Sequence, residues 1–214
     1  MAVDEQEQQR KLTAAEQRRL ELFERTRDDL IAQGYRFAEL TIGIVRASVI
    51  TVAAAIPILV AGIALFVLVN QGRDVFGRVL VDVPMTLAAV LVLTVVHEGI
   101  HGLTWSLFAK NHLADIEFGF MKEYLTPYCT CLCPLERRGY LIGTLAPLVV
   151  LGLIPTAVGI AVGSFAWTMI GLVMTLAAGG DVLVAIMLLR HKSDAGECLV
   201  YDHPTQAGCV VFER

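Results

Sequence analysis

The stretch ASVITVAAAIPILVAGIALFVLVN, from Ala47 to Asn70, carries no charged side chain. An α-helix of this length rises far enough, at about 1.5 Å per residue, to cross a hydrocarbon core about 30 Å thick. The whole chain agrees, since 56% of its residues are hydrophobic and 18% are charged, and the mean hydropathy is +0.63. This composition predicts a membrane protein. The net charge of -4 argues against a nucleic-acid partner, which requires a basic face.

Three more apolar windows follow, and each is long enough to span a bilayer. They cover approximately residues 83–109, 140–163 and 165–189. The pair Gly163-Ser164 separates the last two windows, so a tight turn is expected there. We therefore expect four transmembrane helices, or three if one window is re-entrant.

The distribution of lysine and arginine predicts the orientation of the chain in an integral cell membrane. The segment before the first span, the loop between spans two and three, and the tail all carry several basic residues. The opposite side carries only Arg73 and Arg78. Basic segments stay in the cytoplasm, so both termini of this multi-pass protein are expected there. This divides the chain into a cytoplasmic helical region (1–41), a transmembrane core (42–190) and a cytoplasmic tail (191–214).

Two segments outside the spans have a recognisable periodicity. Residues 12–33 read as an amphipathic helix, with Leu20, Phe23, Leu30 and Ile31 near one face and a Thr13–Glu16 capping box at its start. The loop between spans two and three alternates with a period of two, which predicts strands, with a break at Pro127. The expected fold class is thus an all-α integral membrane protein with about four transmembrane helices, an N-terminal amphipathic helix and a short strand-like loop.

The second apolar window contains TVVHEGIHGLTW, from Thr94 to Trp105. His97 and His101 are four residues apart, so on a helix their imidazoles lie one turn apart on one face and can bind one Zn²⁺. Glu98 stands beside the first histidine, where it can deprotonate a water that zinc has activated. Ionisable residues within membrane spans are rare and usually functional, although a buried hydrogen-bonded cluster that locks helix packing is the structural alternative.

A site with two histidines needs a third protein ligand, and Asp181 is the best candidate. It is the carboxylate of the fourth window, and counting residues from the cytoplasmic ends places it at about the depth of His97 and His101. Gly179 and Gly180 would let another helix approach closely. A glutamate from the loop or the tail, Glu123 or Glu197, is the alternative ligand, and a cysteine could compete as well.

Together these residues resemble a zincin-type membrane metalloprotease, most closely the site-2 protease group. They also resemble a family of zincin peptidases first described as a domain of unknown function. The likeness covers about residues 84–204 and is carried by HEGIH, the strand-like loop, LAP at Leu145–Pro147 and GGD at 179–181. It implies His97, His101 and Asp181 as ligands of one catalytic Zn²⁺, and Glu98 as the general base.

The loop and the tail supply candidate substrate contacts. An edge strand near the zinc could take an extended substrate by strand addition, which makes Phe118, Tyr128, Cys129 and Thr130 candidate substrate-binding residues. Asp202 and His203, ahead of Pro204, read as a turn that packs the tail or reaches the mouth of the site. Cys129, Cys131 and Cys133 alternate along one strand and are expected to be structural, although redox sensing or a second metal is conceivable for them.

The predicted function is hydrolysis of peptide bonds in membrane or membrane-proximal proteins by a zinc-dependent peptidase embedded in the membrane. The expected partners are a protein or peptide substrate and the lipid bilayer, with no nucleic acid, and self-association into a homo-oligomer is left open. The alternative is a non-enzymatic membrane protein in which zinc or a polar cluster stabilises a helix bundle for transport, scaffolding or partner binding. Loss of hydrolysis without loss of zinc in a Glu98→Gln variant would separate the two.

Overall fold

The fold is mostly helical. A computed structural model describes residues 12–73, 79–121, 126–193 and 196–214. Its α-helices, in chain order, are α1 Ala14–Ala32, α2 Ile44–Val69, α3 Val79–Ser106, α4 Arg137–Pro147, α5 Ile154–Val162, α6 Phe165–Ala177 and α7 Gly179–Arg190. A 3-10 turn covers His112–Asp115, and a π-helical turn, Leu148–Leu153, joins α4 to α5 directly after Pro147.

Within the described residues, three helices are long and apolar enough to cross a membrane. They are α2, α3 and the continuous segment Arg137–Val162, and α6 with α7 becomes a fourth if the bent pair is one span. The predicted tight turn is present, because α5 ends at Gly163, which has a positive φ of 74°, and Ser164 caps α6. The fourth window is not one straight helix: α6 and α7 meet at Ala178 with a bend of 48°, so this window is a broken span or a re-entrant segment.

The prediction of a mostly helical protein is confirmed, but its description as all-α is wrong, because the described residues form two antiparallel sheets. The strands are β1 Arg36–Thr41, β2 Ile116–Met121, β3 Thr126–Cys131, β4 Leu135–Glu136, β5 Cys198–Asp202 and β6 Gly208–Glu213. Four of them form one sheet in the order β1-β6-β5-β4. This sheet joins the N-terminal segment, the loop before α4 and the C-terminal tail, which are far apart in the chain.

Strand β6 is one of the two central strands of the larger sheet, and both of its faces are covered. Val210 and Phe212 pack against Phe23 and Leu30 of α1. On the other face, Val211 belongs to a cluster formed by the ends of the apolar helices, together with Trp105, Tyr140 and Leu188. The sheet therefore lies between α1 and the helix bundle. The predicted apolar face of α1 is confirmed at Phe23 and Leu30, whereas Ile31 is exposed, and the Thr13–Glu16 capping box is present.

The predicted strands of the loop between α3 and α4 form a hairpin, in which Phe118 pairs with Cys129 and Phe120 with Pro127. Pro127 therefore lies inside β3, and the expected break at that residue is wrong. Cys129 and Cys131 direct their N–H groups away from β2, toward Glu98 and Asp202. Because residues two apart share an edge of a strand, Pro127 also faces away from β2, where a missing N–H costs no ladder bond.

Candidate metal centre

His97 and His101 lie one turn apart on the last third of α3, and their imidazoles point to the same place. Their Nε2 atoms are 3.2 Å apart. Asp181 reaches both of them, with Oδ2 3.1 Å from His97 Nε2 and Oδ1 3.4 Å from His101 Nε2. The two histidines are buried and the aspartate is partly buried. The structure therefore brings together the three residues that the sequence proposes as ligands.

The break between α6 and α7 places Asp181 beside the histidines. Asp181 lies in the first turn of α7, where the helix dipole favours a negative charge. Gly179 permits this arrangement, because a Cβ there would come within 2.2 Å of the side chain of Thr51 on α2. Gly180 has nothing within 4 Å of its Cβ position, so the expected close helix approach is found at Gly179 but not at Gly180.

The hydrogen bond of His101 to Gly143 determines the tautomer of its imidazole ring. Its Nδ1 lies 2.9 Å from the carbonyl oxygen of Gly143 and must donate to it. A neutral His101 then directs the lone pair of Nε2 toward the carboxylate of Asp181, so two acceptors face each other. His97 Nδ1 is buried with no hydrogen-bond partner among the described residues. A cation between the three side chains would remove the repulsion between the lone pair of His101 Nε2 and the carboxylate of Asp181.

The spacing of the donor atoms fits zinc. Ligands about 2.0–2.1 Å from a tetrahedral zinc ion lie roughly 3.3–3.4 Å from one another. The three contacts between His97, His101 and Asp181, of which one uses Oδ2 and another Oδ1 of the carboxylate, range from 3.1 to 3.4 Å. Two imidazoles and one carboxylate form a nitrogen and oxygen donor set that zinc accepts, and a carbonyl group that orients one histidine is typical of such sites.

Glu98 follows the first histidine and lines the cavity beside the cluster. Its carboxylate accepts a hydrogen bond from the backbone of Cys129 on β3. The hairpin thus holds Glu98 from outside the helix that carries it. A carboxylate at the edge of a water-accessible cavity and next to a metal ligand is placed to accept a proton from water.

A cavity of about 800 Å³ extends from the cluster toward the larger sheet. Its wall includes Tyr128, Cys129 and Thr130, three of the four predicted substrate-binding residues. Phe118 is not part of this wall. It is 54% exposed and lines a separate groove between the hairpin and α1.

The N-terminal helix closes one side of this cavity. The side chain of Arg19 binds Glu117 at 3.1 Å, donates to the hydroxyl of Tyr128 and lies 4.7 Å over the ring of that tyrosine. It also donates to the carbonyl oxygen of Pro204, in the turn between β5 and β6. The contribution of α1 was not predicted, because neither the charge pattern nor the periodicity of residues 12–33 indicates what the helix covers.

Both predicted accessory residues line the cavity. His203 Nδ1 accepts from the backbone N–H groups of Thr205 and Gln206, so His203 caps the turn between β5 and β6. Asp202 accepts a hydrogen bond of 2.6 Å from the hydroxyl of Tyr140. Tyr140 and its neighbour Trp105 were missed by the sequence reasoning, since a single aromatic residue in an apolar window gives no signal of its own.

The other candidates have different surroundings. Glu197, an alternative third ligand, pairs with Arg214 at 2.8 Å and is 49% exposed; Glu123 lies outside the described residues. Burial raises the pKa of the Cys129 thiol, which disfavours the thiolate form that binds metal. The Sγ atoms of Cys131 and Cys133 are 3.7 Å apart. Among the described residues, one group of three potential ligands is close enough to hold a metal ion, and it contains no cysteine.

Comparison with known proteins points to the same chemistry. The model of a family described as "Putative zincin peptidase" matches residues 90–195, just under half of the chain. The match includes the HEGIH segment, the hairpin, the LAP segment and the GGD segment. Searches of curated proteins and of solved structures found no match. Across the helices and the hairpin that build the metal centre, the chain is therefore similar to a family of zincin-type peptidases, which implies zinc as the metal.

Proposed function

We propose that this chain is a zinc-dependent, membrane-embedded endopeptidase of the site-2 protease type, which hydrolyses peptide bonds in membrane or membrane-proximal proteins. The observation that carries the proposal is the convergence of His97, His101 and Asp181 within 4.8 Å of one another. Glu98 lies next to them on the wall of an open cavity. A closed structural zinc site would have no need of such a cavity or of a carboxylate beside it.

The residues divide the chemistry between them. Zinc at such a site supplies a Lewis acid that lowers the pKa of water to roughly 7 and polarises a carbonyl group. His97, His101 and Asp181 hold the metal, and the Gly143 carbonyl keeps His101 in the required tautomer. Glu98 accepts the proton of the attacking water and returns it to the departing amine.

The larger sheet supports a placement of the chain with four membrane crossings. Strand β1 precedes α2, β4 lies between α3 and α4, and β5 and β6 follow α7, yet all four strands are hydrogen-bonded in one sheet. Segments on the same side of a membrane are separated by an even number of crossings. Two crossings before β4 and two after it satisfy this condition, with α6 and α7 forming one broken span. The bias of basic residues assigns this side to the cytoplasm.

An extended segment of substrate would enter the cavity alongside β3. A transmembrane helix hides its peptide bonds, so the substrate must unwind before cleavage. The cavity-facing edge of β3 already donates the N–H groups of Cys129 and Cys131 to Glu98 and Asp202. A substrate strand would therefore use the carbonyl groups on this edge, or take over the N–H group that holds Glu98.

The proposal is tested by a Glu98→Gln variant, with Glu136→Gln as a control at an exposed carboxylate on β4. In reconstituted membranes, Glu98→Gln should bind zinc like the wild type and lose cleavage of membrane proteins that the wild type cuts. The substrates are found by comparing membrane proteomes from cells that express the two forms. Cleavage by Glu98→Gln at the wild-type rate would refute the assigned role.

The ligand assignment is tested separately by the metal content of purified Asp181→Ala. Loss of one of three protein ligands should lower zinc affinity by well over tenfold, because loss of a residue that only hydrogen-bonds to a metal ligand already costs ten- to a hundredfold. Wild-type affinity in this variant would mean that another residue is the third ligand. Glu123 would then be the next residue to substitute.

A further inference from the structure

Asp202, the last residue of β5, has its carboxylate shared between two other elements. Its Oδ1 accepts from the hydroxyl of Tyr140 on α4 at 2.6 Å, and its Oδ2 accepts from the backbone N–H of Cys131 on β3 at 3.2 Å. The side chain of Thr130 is also hydrogen-bonded to it. Burial raises the pKa of Asp202. A buried carboxylate is costly to keep, so these bonds must compensate for its desolvation.

Through its hydrogen bond to Tyr140, Asp202 is connected to the residues of α4 that contact His101. The backbone carbonyl of Tyr140 accepts from the indole N–H of Trp105 at 3.0 Å, and the two rings stack with centroids 5.6 Å apart. The ring of Trp105 also stacks on His101, with centroids 5.0 Å apart and planes inclined by 18°. One turn after Tyr140, the carbonyl of Gly143 accepts from His101 Nδ1. The position of α4 therefore sets both the plane and the tautomer of His101.

Through its hydrogen bond to Cys131, Asp202 is connected to the strand that holds Glu98. Cys131, which donates to Asp202, and Cys129, which donates to Glu98, are two residues apart and share the same edge of the strand. A shift of β3 along or away from β5 would move the N–H group that holds Glu98. Asp202 is thus bonded to both elements that orient the polar side chains of the metal centre from outside α3.

We propose that Asp202 is a positioning residue of the metal centre, which fixes β3 and α4 relative to each other and so sets the orientation of Glu98 and His101. The proposal rests on the proposed function for its effect on catalysis. Its effect on metal binding and on the surroundings of Trp105 does not require any peptidase activity. Asp202 itself lies outside the ligand set, since both of its oxygens are engaged by Tyr140, Thr130 and Cys131.

The test uses full-length protein in membranes, with Trp167→Phe as the background. The chain has two tryptophans, and Trp167 is 53% exposed whereas Trp105 is buried, so this background makes Trp105 the reporter. Zinc affinity is measured by titrating zinc into metal-free protein while Trp105 fluorescence is recorded. The variants are Asp202→Ala, Asp202→Asn and Tyr140→Phe, and Glu136→Gln is the control in the neighbouring strand.

We expect Asp202→Ala to weaken zinc binding ten- to a hundredfold, the range seen when outer-shell partners of a metal site are removed. The emission of Trp105 should shift to longer wavelength even without zinc, and kcat should fall more than KM changes. Asp202→Asn should recover much of the affinity, because its oxygen can accept from Cys131 N–H while its amide donates to the Tyr140 hydroxyl. Tyr140→Phe, which removes only the bond to α4, should weaken zinc binding without unfolding the sheet.

Wild-type zinc affinity and Trp105 emission in folded Asp202→Ala would overturn the proposal, as would loss of thermal stability with both readouts unchanged. If Asp202→Ala does not fold, Tyr140→Phe decides in the same way. The outcomes separate this proposal from the proposed function. Cleavage by Glu98→Gln would refute the peptidase mechanism and leave the effect on zinc intact, whereas an unaffected zinc site in Asp202→Ala would refute only the positioning role.

Discussion

At the residue scale, His101 is constrained on every side. Gly143 accepts from one ring nitrogen, Trp105 stacks on the ring, and the other nitrogen faces His97 and Asp181. This arrangement depends on a missing side chain, because a Cβ on Gly143 would come within 2.0 Å of the Trp105 ring. The HEGIH pattern predicts which residues meet the metal. It carries no information about the residues that hold them, because Trp105 lies beyond the pattern on α3 and Gly143 comes from α4.

Gly143→Ala should therefore displace Trp105 and, through it, His101. We expect a destabilisation of about 1–3 kcal/mol from overpacking and a lower zinc affinity. Gly99→Ala in the neighbouring helix is the control, because nothing lies within 4 Å of its Cβ position and alanine favours a helix over glycine by roughly 0.5–1 kcal/mol. Thermal unfolding and zinc titration of both variants provide the measurement; equal behaviour of the two would contradict the close contact.

At the element scale, the bend between α6 and α7 is the feature that completes the site. A straight fourth span would carry Asp181 in the middle of a helix, whereas the break places it in a first turn beside α3. The composition of residues 165–189 predicts a span but gives no indication of a bend of 48°. Two glycines precede the aspartate, and only the packing distinguishes them: Gly179 is pressed against Thr51, and Gly180 is open.

Gly179→Ala should consequently push α7 away from α2, since its Cβ would lie 2.2 Å from the Thr51 side chain. We expect lower stability, by about 1–3 kcal/mol, and weaker zinc binding because Asp181 moves with the helix. Gly180→Ala should leave both properties near the wild type. Paired measurements of zinc affinity and thermal midpoint test this, and a larger loss in Gly180→Ala would mean that the packing of α7 is different.

At the scale of the whole molecule, the larger sheet connects the N-terminal and C-terminal segments to the helices that form the metal centre. Strand β6 contributes Val210, Val211 and Phe212, all with 0% exposure. One face of β6 packs on α1 and the other on the ends of the helices that hold the site. The region that resembles zincin peptidases ends before β5, so the tail adds a structural support outside the matched region.

Phe212→Ala should unfold this support at a cost of about 3–5 kcal/mol, the usual range for a buried phenylalanine. Phe37→Ala is the matched control, because Phe37 is the cross-strand partner of Phe212 but is 42% exposed, and it should cost about 1 kcal/mol. Each kcal/mol corresponds to about 2–4 °C in Tm for a chain of this size. Similar Tm values for the two variants would show that β6 is not a core strand.

The same sheet leads to a prediction about membrane topology. In a cysteine-free background, Glu21→Cys on α1 and Glu136→Cys on β4 should both be shielded from an impermeant maleimide in intact cells. Gln71→Cys, in the exposed turn after α2, should react. Labelling at Glu21→Cys without labelling at Glu136→Cys would place α1 and β4, which the larger sheet connects, on opposite sides of a membrane and exclude the four-crossing arrangement.

The sequence alone determined the apolar helices, the metal-binding pattern, the hairpin and the tight turn at Gly163. Each of these follows from a local pattern of residues, because side chains two, three or four residues apart share a face of a strand or a helix. It also made Asp181 the best candidate to meet the histidines, with Glu123 and Glu197 as alternatives, since depth in a membrane can be counted along a helix. The tertiary structure decided what local patterns cannot contain: the sheet made from both ends of the chain, the bend that presents Asp181, and the surroundings of Asp202. These depend on contacts between residues that are distant in sequence, and the pairing of such residues leaves no periodic signal in either segment.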